Sequence, residues 1–200
     1  MKPLSRRAVL GAAAVALATR GEGAVTAGSA LGKLLDRRRM VRKFRPTPIP
    51  DEAIARCLHA AARAPSAGNT EPWAFVVARD AAIRQRLARA ALDQAFVAEA
   101  PVVIVACADV PRSKARYAAR GERYAVIDVA FASLLLLLQA TEEGLGACFV
   151  GAFDDARVAK AIGLPPHVLP LAVIPVGVPA ERPRNVRLRP ERDIVHRDRW

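Results

Sequence analysis

Apolar positions after residue 28 fall into blocks punctuated by Pro, Gly and Asp, and their spacing changes from block to block. Leu31, Leu34 and Leu35 share one side of a helix predicted from about Ser29 to Arg39. Pro46, Pro48 and Pro50 then force extended chain. Asp51 is placed as the N-cap of a helix running to about Ala64, with Ile54, Leu58 and Ala61 on its apolar face and Pro65 ending it. Ala74–Ala78 and Val102–Ala108 are continuous apolar runs of strand length, the second bounded by Pro101 and Asp109. Between them Asp80 caps a helix to about Leu92. Tyr124–Glu143 is the longest predicted helix and is apolar almost all round, which places it in a core or a subunit interface. Leu145–Gly151 and Leu171–Val178 supply two more strands, separated by a helix capped at Asp154. The tail from Arg182 has few apolar anchors and is expected to lie extended over a surface.

Helices and strands are mixed without regular alternation. That predicts an α+β sheet flanked by helices rather than a doubly wound fold. No Gly-x-Gly-x-x-Gly follows a strand, so a Rossmann dinucleotide site is not indicated.

Composition adds a charge that needs an explanation. The 200 residues are 52% hydrophobic, enough for one core, and carry a net charge of +12. Nucleic acid, an anionic membrane and a phosphorylated cofactor are the candidate partners. Aromatics make up only 5% and do not interleave with the Arg and Lys runs, so a base-stacking surface is poorly supported. The three cysteines, Cys57, Cys107 and Cys148, form no CxxC pair and have no His at ligand spacing. They are expected to be buried thiols, with no metal site.

Ser5-Arg6-Arg7 precedes a small apolar run, Ala8–Ala18, too short to span a bilayer. It resembles a twin-arginine export signal over residues 1–27, which leaves 28–200 as the folded domain and implies an extracytoplasmic location. A misassigned start, and with it a cytoplasmic protein, is the alternative.

Three segments carry candidate chemistry. Arg37–Lys43 holds five cations in seven residues, either a solvated face or a phosphate site where Arg forks match phosphate oxygens. Pro65-Ser66-Ala67-Gly68-Asn69-Thr70-Glu71-Pro72-Trp73 lies between a helix and a strand. It is a plain turn or a loop through which backbone approaches a flat ligand. Gly144–Asp154 runs from a strand through small residues to a helix N-cap, either a tight corner or a ligand-facing backbone.

In this order and spacing the segments resemble the nitroreductase family. Arg38–Phe44 is similar to its opening Arg-Arg-Ser-x-Arg-x-Phe, and Pro65–Trp73 to its Pro-Ser-x-x-Asn-x-Gln-Pro-Trp. Gly144–Asp154 is similar to its Gly-Leu-Gly…Gly-x-Phe-Asp. Arg189-Pro190, His196 and Trp200 match its closing pattern. The likeness covers about residues 30–200.

The resemblance implies a central, mainly antiparallel sheet and an intertwined homodimer with FMN held between subunits, over an interface of more than about 2,000 Å². It implies that Arg38, Arg187 and Arg189 reach the FMN phosphate, while Arg39 and Met40 line the ribityl chain. It places Arg42 beside N1 and O2 of the ring, where a cation stabilises reduced flavin. It implies that Pro65, Ser66, Ala67 and Asn69 contact the flavin from the other subunit, and that Gly151 and Ala152 lie along the ring near N5. Met40 stands where the family has Ser, and Glu71 where it has Gln. The segment Asp109–Arg123 is short where some members carry a helical lid, which implies an open substrate pocket.

The activity implied is a ping-pong relay of hydride from NADPH or NADH through FMN N5 to a nitroaromatic, quinone or similar small acceptor. The flavin carries the chemistry, so no catalytic side chain is required, and His59, His167 and His196 are given no role. The alternatives are a specialised dehydrogenating or flavin-fragmenting enzyme on the same fold, and a flavin-binding protein without nicotinamide turnover. Neither nucleic acid nor stable membrane association is expected.

Overall fold

A computed structural model describes residues 28–183 and 188–200. By internal contacts the chain divides into a main unit, Arg37–Asn185, and a smaller one comprising Met1–Asp36 and Val186–Trp200.

The main unit is built on a four-stranded antiparallel sheet ordered β1-β2-β4-β3. Its strands are β1 (Trp73–Ala78), β2 (Val102–Asp109), β3 (Gly146–Ala147) and β4 (Val168–Gly177). Helix α1 spans Ala30–Arg37, and α2 spans Asp51–Ala61. Helices α3 (Ala81–Ala90) and α4 (Ala95–Glu99) lie between β1 and β2. Helices α5 (Val110–Tyr117) and α6 (Gly121–Glu142) follow β2, and α7 (Asp155–Ile162) precedes β4.

Strand β2 organises the core because its residues alternate between two apolar clusters. Val102, Ile104, Ala106 and Ala108 pack with Ile54, Cys57 and Ala61 of α2 and with Val129, Ala132, Leu136 and Ala140 of α6. Val103, Val105 and Cys107 pack on the other face with Leu87, Val97 and Val158 of α3, α4 and α7. Helices therefore cover both faces of the sheet. That is why β2 reads as an unbroken apolar run although its partners are antiparallel.

The expected elements are present with shifted ends. Asp80 and Asp154 cap α3 and α7, each carboxylate accepting from the backbone N–H three residues on, Ile83 at 2.8 Å and Arg157 at 2.9 Å. Asp51 is not an N-cap: Pro50 occupies that position, and Asp51 sits in the first turn of α2, where it pairs with Arg79 at 2.6 Å. A carboxylate there still favours the helix dipole. The strand expected over Leu145–Gly151 shrinks to Gly146–Ala147, with one further bridge at Val150 to Val173. Pro175 explains the gap. Cys148 N–H donates to the Pro175 carbonyl at 3.2 Å, and proline has no N–H to return. The segment after β2 is helical, as α5, where the sequence suggested no element.

Helix α6 is buried along one face only. Ile127, Phe131 and Leu134 remain 38%, 47% and 46% exposed at i, i+4, i+7 spacing. Its length and hydropathy would also suit a membrane span, but Ala125, Val129, Ala132, Leu136 and Ala140 are fully buried against the sheet and α2.

In the smaller unit, Ser29 Oγ accepts from Gly32 N–H at 2.9 Å at the start of α1. Glu191–Asp193 makes one 3-10 turn, and the His196 and Trp200 rings stack with centroids 4.1 Å apart. Residues 1–27, which include the proposed export signal, lie outside the described residues.

Candidate functional site

The segment Arg38–Arg45 is stitched on both sides by backbone. Met40 bridges Ala147 in parallel, and Val41 N–H donates to the Ala147 carbonyl at 3.0 Å. Further along, Ala180 N–H donates to the Lys43 carbonyl at 2.8 Å, and Arg45 N–H to Val178 at 2.9 Å. The Glu181 carboxylate accepts from the backbone N–H groups of both Arg42 (2.7 Å) and Lys43 (3.1 Å). The crossing demands glycine at 146, where a Cβ would stand 2.8 Å from the Val41 side chain.

Two of the three predicted segments thus meet. Phe149 N–H donates to the Met40 sulfur at 3.4 Å, so this thioether holds the strand after β3 against the Arg-rich segment. Arg42 extends its guanidinium over the Phe96 ring of α4, 5.9 Å from the centroid. Gln94 at the start of α4 donates to the Ala152 carbonyl at 3.3 Å. Arg38, Arg39 and Met40 are half-buried, whereas Arg42, Gly151 and Ala152 are exposed. The result is a shelf of cations beside small residues, open to solvent.

The third segment lies elsewhere in the same chain. Pro65–Thr70 leads into Trp73, the start of β1 on one edge of the sheet, whereas Gly146 begins β3 on the other. At about 4.8 Å per strand, those edges are about 14 Å apart. They also begin at opposite ends, since Trp73 pairs with Ala108, next to Leu169, and Gly146 pairs with Gly177.

The loop itself is tightly held. Gly68, Asn69 and Glu71 have φ of 55°, 56° and 47°, unusual for the two non-glycine residues. Asn69 Nδ2 donates to Glu71 Oε1 at 3.2 Å, and Glu71 N–H donates to Ser66 Oγ at 3.1 Å. Asp128 of α6, only 3% exposed, accepts from Ala67 N–H at 3.1 Å. Burial pushes the Asp128 carboxyl above its ordinary range, and the Ala67 hydrogen bond partly opposes this. From α5, Arg112 donates to the Thr70 carbonyl at 2.9 Å, and the hydroxyls of buried Ser113 and Thr70 are 3.1 Å apart.

Arg187 lies outside the described residues. Arg189 belongs to the smaller unit, where its guanidinium donates to the Asp193 carbonyl. Cys57, Cys107 and Cys148 are free and buried, as expected. Burial raises all three thiols, Cys57 to about 11 and Cys107 to about 12; for Cys148 burial outweighs the lowering by Arg42. None is a nucleophile near neutral pH.

Sequence reasoning missed Asp128, Glu181, Gln94 and Phe96. Asp128 had a legible signal, as the sole charged residue between Tyr124 and Thr141. Glu181 had none, because its role is to accept from backbone 138 and 139 residues away.

Comparisons with known proteins agree with this organisation. The model of the Nitroreductase family matches residues 35–98 and 89–178. A Thermus thermophilus protein named NADH dehydrogenase is 38% identical over 175 residues, 72% of this chain and 84% of its own length. A 5,6-dimethylbenzimidazole synthase of Rhodospirillum rubrum is 30% identical over 177 residues, 76% of this chain and 82% of its own. Among solved structures, the NADPH:FMN oxidoreductase of Vibrio harveyi, complexed with NAD+, superposes with a TM-score of 0.77. It is 26% identical and covers 84% of this chain and 76% of its own.

Proposed function

This chain belongs to the nitroreductase family, and from that premise we propose that it is an NAD(P)H-dependent FMN oxidoreductase working as a homodimer. The observation that carries the reading is the joining of the extended segment Arg38–Lys43 to Gly146–Ala152 through the Met40–Ala147 bridge and the Phe149-to-Met40 hydrogen bond. The residues fit FMN. Four cations, Arg38, Arg39, Arg42 and Lys43, the last two held by backbone bonds to Glu181, offer an anion site beside exposed Gly151 and Ala152, along which a flat ring can lie.

FMN, when bound, would supply the two-electron chemistry, accepting reducing equivalents from NAD(P)H and passing them to a nitroaromatic or quinone in a ping-pong order. The chain's own residues hold and bias that group. Arg38 would neutralise the phosphate, and Arg39 and Met40 would line the ribityl chain. Arg42, fixed over Phe96, would lie beside N1 and O2 and favour negative charge there. Pro65, Ser66, Ala67 and Asn69 would close the site from the second subunit, because in one chain their loop stands at the far edge of the sheet. The α6 stripe of Ile127, Phe131 and Leu134 would supply the apolar contact between copies.

Initial rates of NADH and NADPH oxidation with menadione or a nitroaromatic test the reading. Parallel double-reciprocal lines are expected; intersecting lines would remove the ping-pong order, and no oxidation with either nicotinamide would remove the reductase assignment. The likeness to 5,6-dimethylbenzimidazole synthase favours a second reading, a specialised enzyme using the same flavin site, for which formation of a dimethylbenzimidazole by the FMN-loaded protein is the readout. Export by the twin-arginine route is part of the proposal, resting on Ser5-Arg6-Arg7 before Ala8–Ala18. A reporter fused to residues 1–27 that stays in the cytoplasm would remove it.

A further inference from the structure

The loop from Ser66 to Thr70 is covered by a second, separate group of cations. Between Val110 and Tyr124 the chain carries Arg112, Lys114, Arg116, Arg120 and Arg123 against one carboxylate, Glu122. Lys114 takes that carboxylate at 2.8 Å. Arg112 is spent on the Thr70 carbonyl. Among the described residues no carboxylate pairs with Arg116, Arg120 or Arg123, and all three are exposed.

Two of these cations are arranged on aromatic rings. Arg116 lies over Tyr117 at 5.9 Å and Arg120 over Tyr124 at 5.5 Å, while the two tyrosines meet edge to face at 4.9 Å. Stacking on the rings limits the freedom of both guanidinium groups, so an anion that meets them forfeits less side-chain entropy. The corner is also rigid. A Cβ at Gly121 would stand 2.4 Å from Lys114 backbone, so α5 and α6 cross in close contact. The ladder touches the proposed flavin loop directly: a Cβ on Gly68 would lie 2.4 Å from the Tyr117 hydroxyl and 2.5 Å from Arg116 Nε.

We propose that the α5–α6 corner is an acceptor-selecting wall, and that the preferred oxidants are aromatic compounds carrying a carboxylate or sulfonate. The proposal rests on the flavin reading above and names the substrate class of that site. The phosphate of the cofactor has its own cations, Arg38–Lys43, on the other edge of the sheet, so the Arg116–Arg120 pair is left to read a different anion. The two tyrosine rings give the same wall an apolar, aromatic surface for the body of the acceptor. In the reaction a nitro acceptor takes two electrons, delivered from the nicotinamide, and two protons; one N–O bond breaks, and a nitroso compound and water leave.

The test isolates the acceptor step. Full-length, FMN-loaded protein is photoreduced under anaerobic conditions and mixed with 4-nitrobenzoate or with the near-isosteric, neutral 4-nitrobenzamide. The second-order rate of flavin reoxidation is read for each, and the benzoate-to-benzamide ratio is compared between proteins so that intrinsic reducibility cancels. The Arg116→Gln/Arg120→Gln variant is expected to lower that ratio about tenfold, and 0.5 M salt is expected to compress it in the parent protein. Arg86→Gln/Lys160→Gln, which removes two exposed charges from α3 and α7, is expected to leave it unchanged. A protein that holds reducible flavin but shows the same ratio with and without Arg116 and Arg120 overturns this inference alone. An equal fall in the Arg86/Lys160 variant also overturns it, because net charge would then account for the preference. A protein that binds no flavin overturns this inference together with the reading it rests on.

Discussion

The backbone N–H of Ala67 donates to Asp128 Oδ2 at 3.1 Å, joining the proposed flavin loop to the central helix across 61 residues of chain. Asp128→Ala removes the acceptor and leaves that N–H without its partner, so unfolding free energy falls by about 1–3 kcal/mol, as measured by urea denaturation. Asp128→Asn keeps an oxygen acceptor and discards the buried charge. Because burial raises the folded-state carboxyl above its unfolded value, Asp128 is a stability cost at neutral pH, and that cost is relieved as pH falls through the raised value. The Asn variant is therefore expected to melt no lower than the parent at pH 7. Any advantage it holds shrinks in acid. A Tm well below the parent's at pH 7 would contradict this account of Asp128.

Glu181 pins the cationic segment Arg38–Lys43 through two backbone bonds while placing a negative charge near the proposed anion site. Its two roles separate by substitution. Glu181→Ala loses both acceptor bonds, worth about 1 kcal/mol each, and is expected to weaken FMN binding about tenfold or more in a fluorescence titration. Glu181→Gln keeps the acceptor and removes the charge, so it binds FMN as well as the parent or better. Weak binding by both variants would show that the charge itself is required.

Glu143 links α6 to α2 through paired contacts with Arg56, both at 2.7 Å. The hydrogen bond from Arg56, with help from Gln139, holds the Glu143 carboxyl down to about 2. The stability this provides is present above the unfolded value and is lost as pH falls from about 4.5 to about 2. Glu143→Gln should lower Tm at pH 7, with the difference closing across that acid range. A constant Tm difference down to pH 2 would contradict the assignment.

Phe131 is 47% exposed at the centre of the Ile127–Leu134 stripe. A charge there is incompatible with an apolar contact between copies. Phe131→Arg is expected to run as a monomer in sedimentation and to release FMN on desalting, since each site needs the Ser66 loop of a second chain. A monomer that keeps its flavin would show that one chain suffices.

Much of the fold was legible because its signals are local. The alternation buried in Val102–Asp109 and the caps at Asp80 and Asp154 follow from residues within a few positions of one another. The extent of β3 depends on Pro175, almost thirty residues further along the chain, whose missing N–H halts a ladder that Leu145–Gly151 would otherwise continue. The motif segments themselves were legible, and the structure brings Arg38–Lys43 and Gly144–Asp154 together through the Met40–Ala147 bridge. The supports from Glu181 and Gln94 were not, because each acts by accepting from or donating to backbone whose identity leaves no mark in sequence, whereas Asp128 was marked as the sole charge in an apolar helix. The basic α5–α6 corner was also missed, since Arg112, Arg116 and Arg120 resemble any solvated charge run until Tyr117 and Tyr124 are seen beneath two of them.

A visible absorption spectrum of the protein, loaded with FMN, desalted, and mixed anaerobically with NADH or NADPH, reads both the flavin site and its reductant. Oxidised-flavin bands at about 370 and 450 nm are expected to survive desalting and to bleach on adding the nicotinamide. A colourless protein after desalting would contradict the flavin site, and retained colour that neither nicotinamide bleaches would contradict the NAD(P)H-dependent activity.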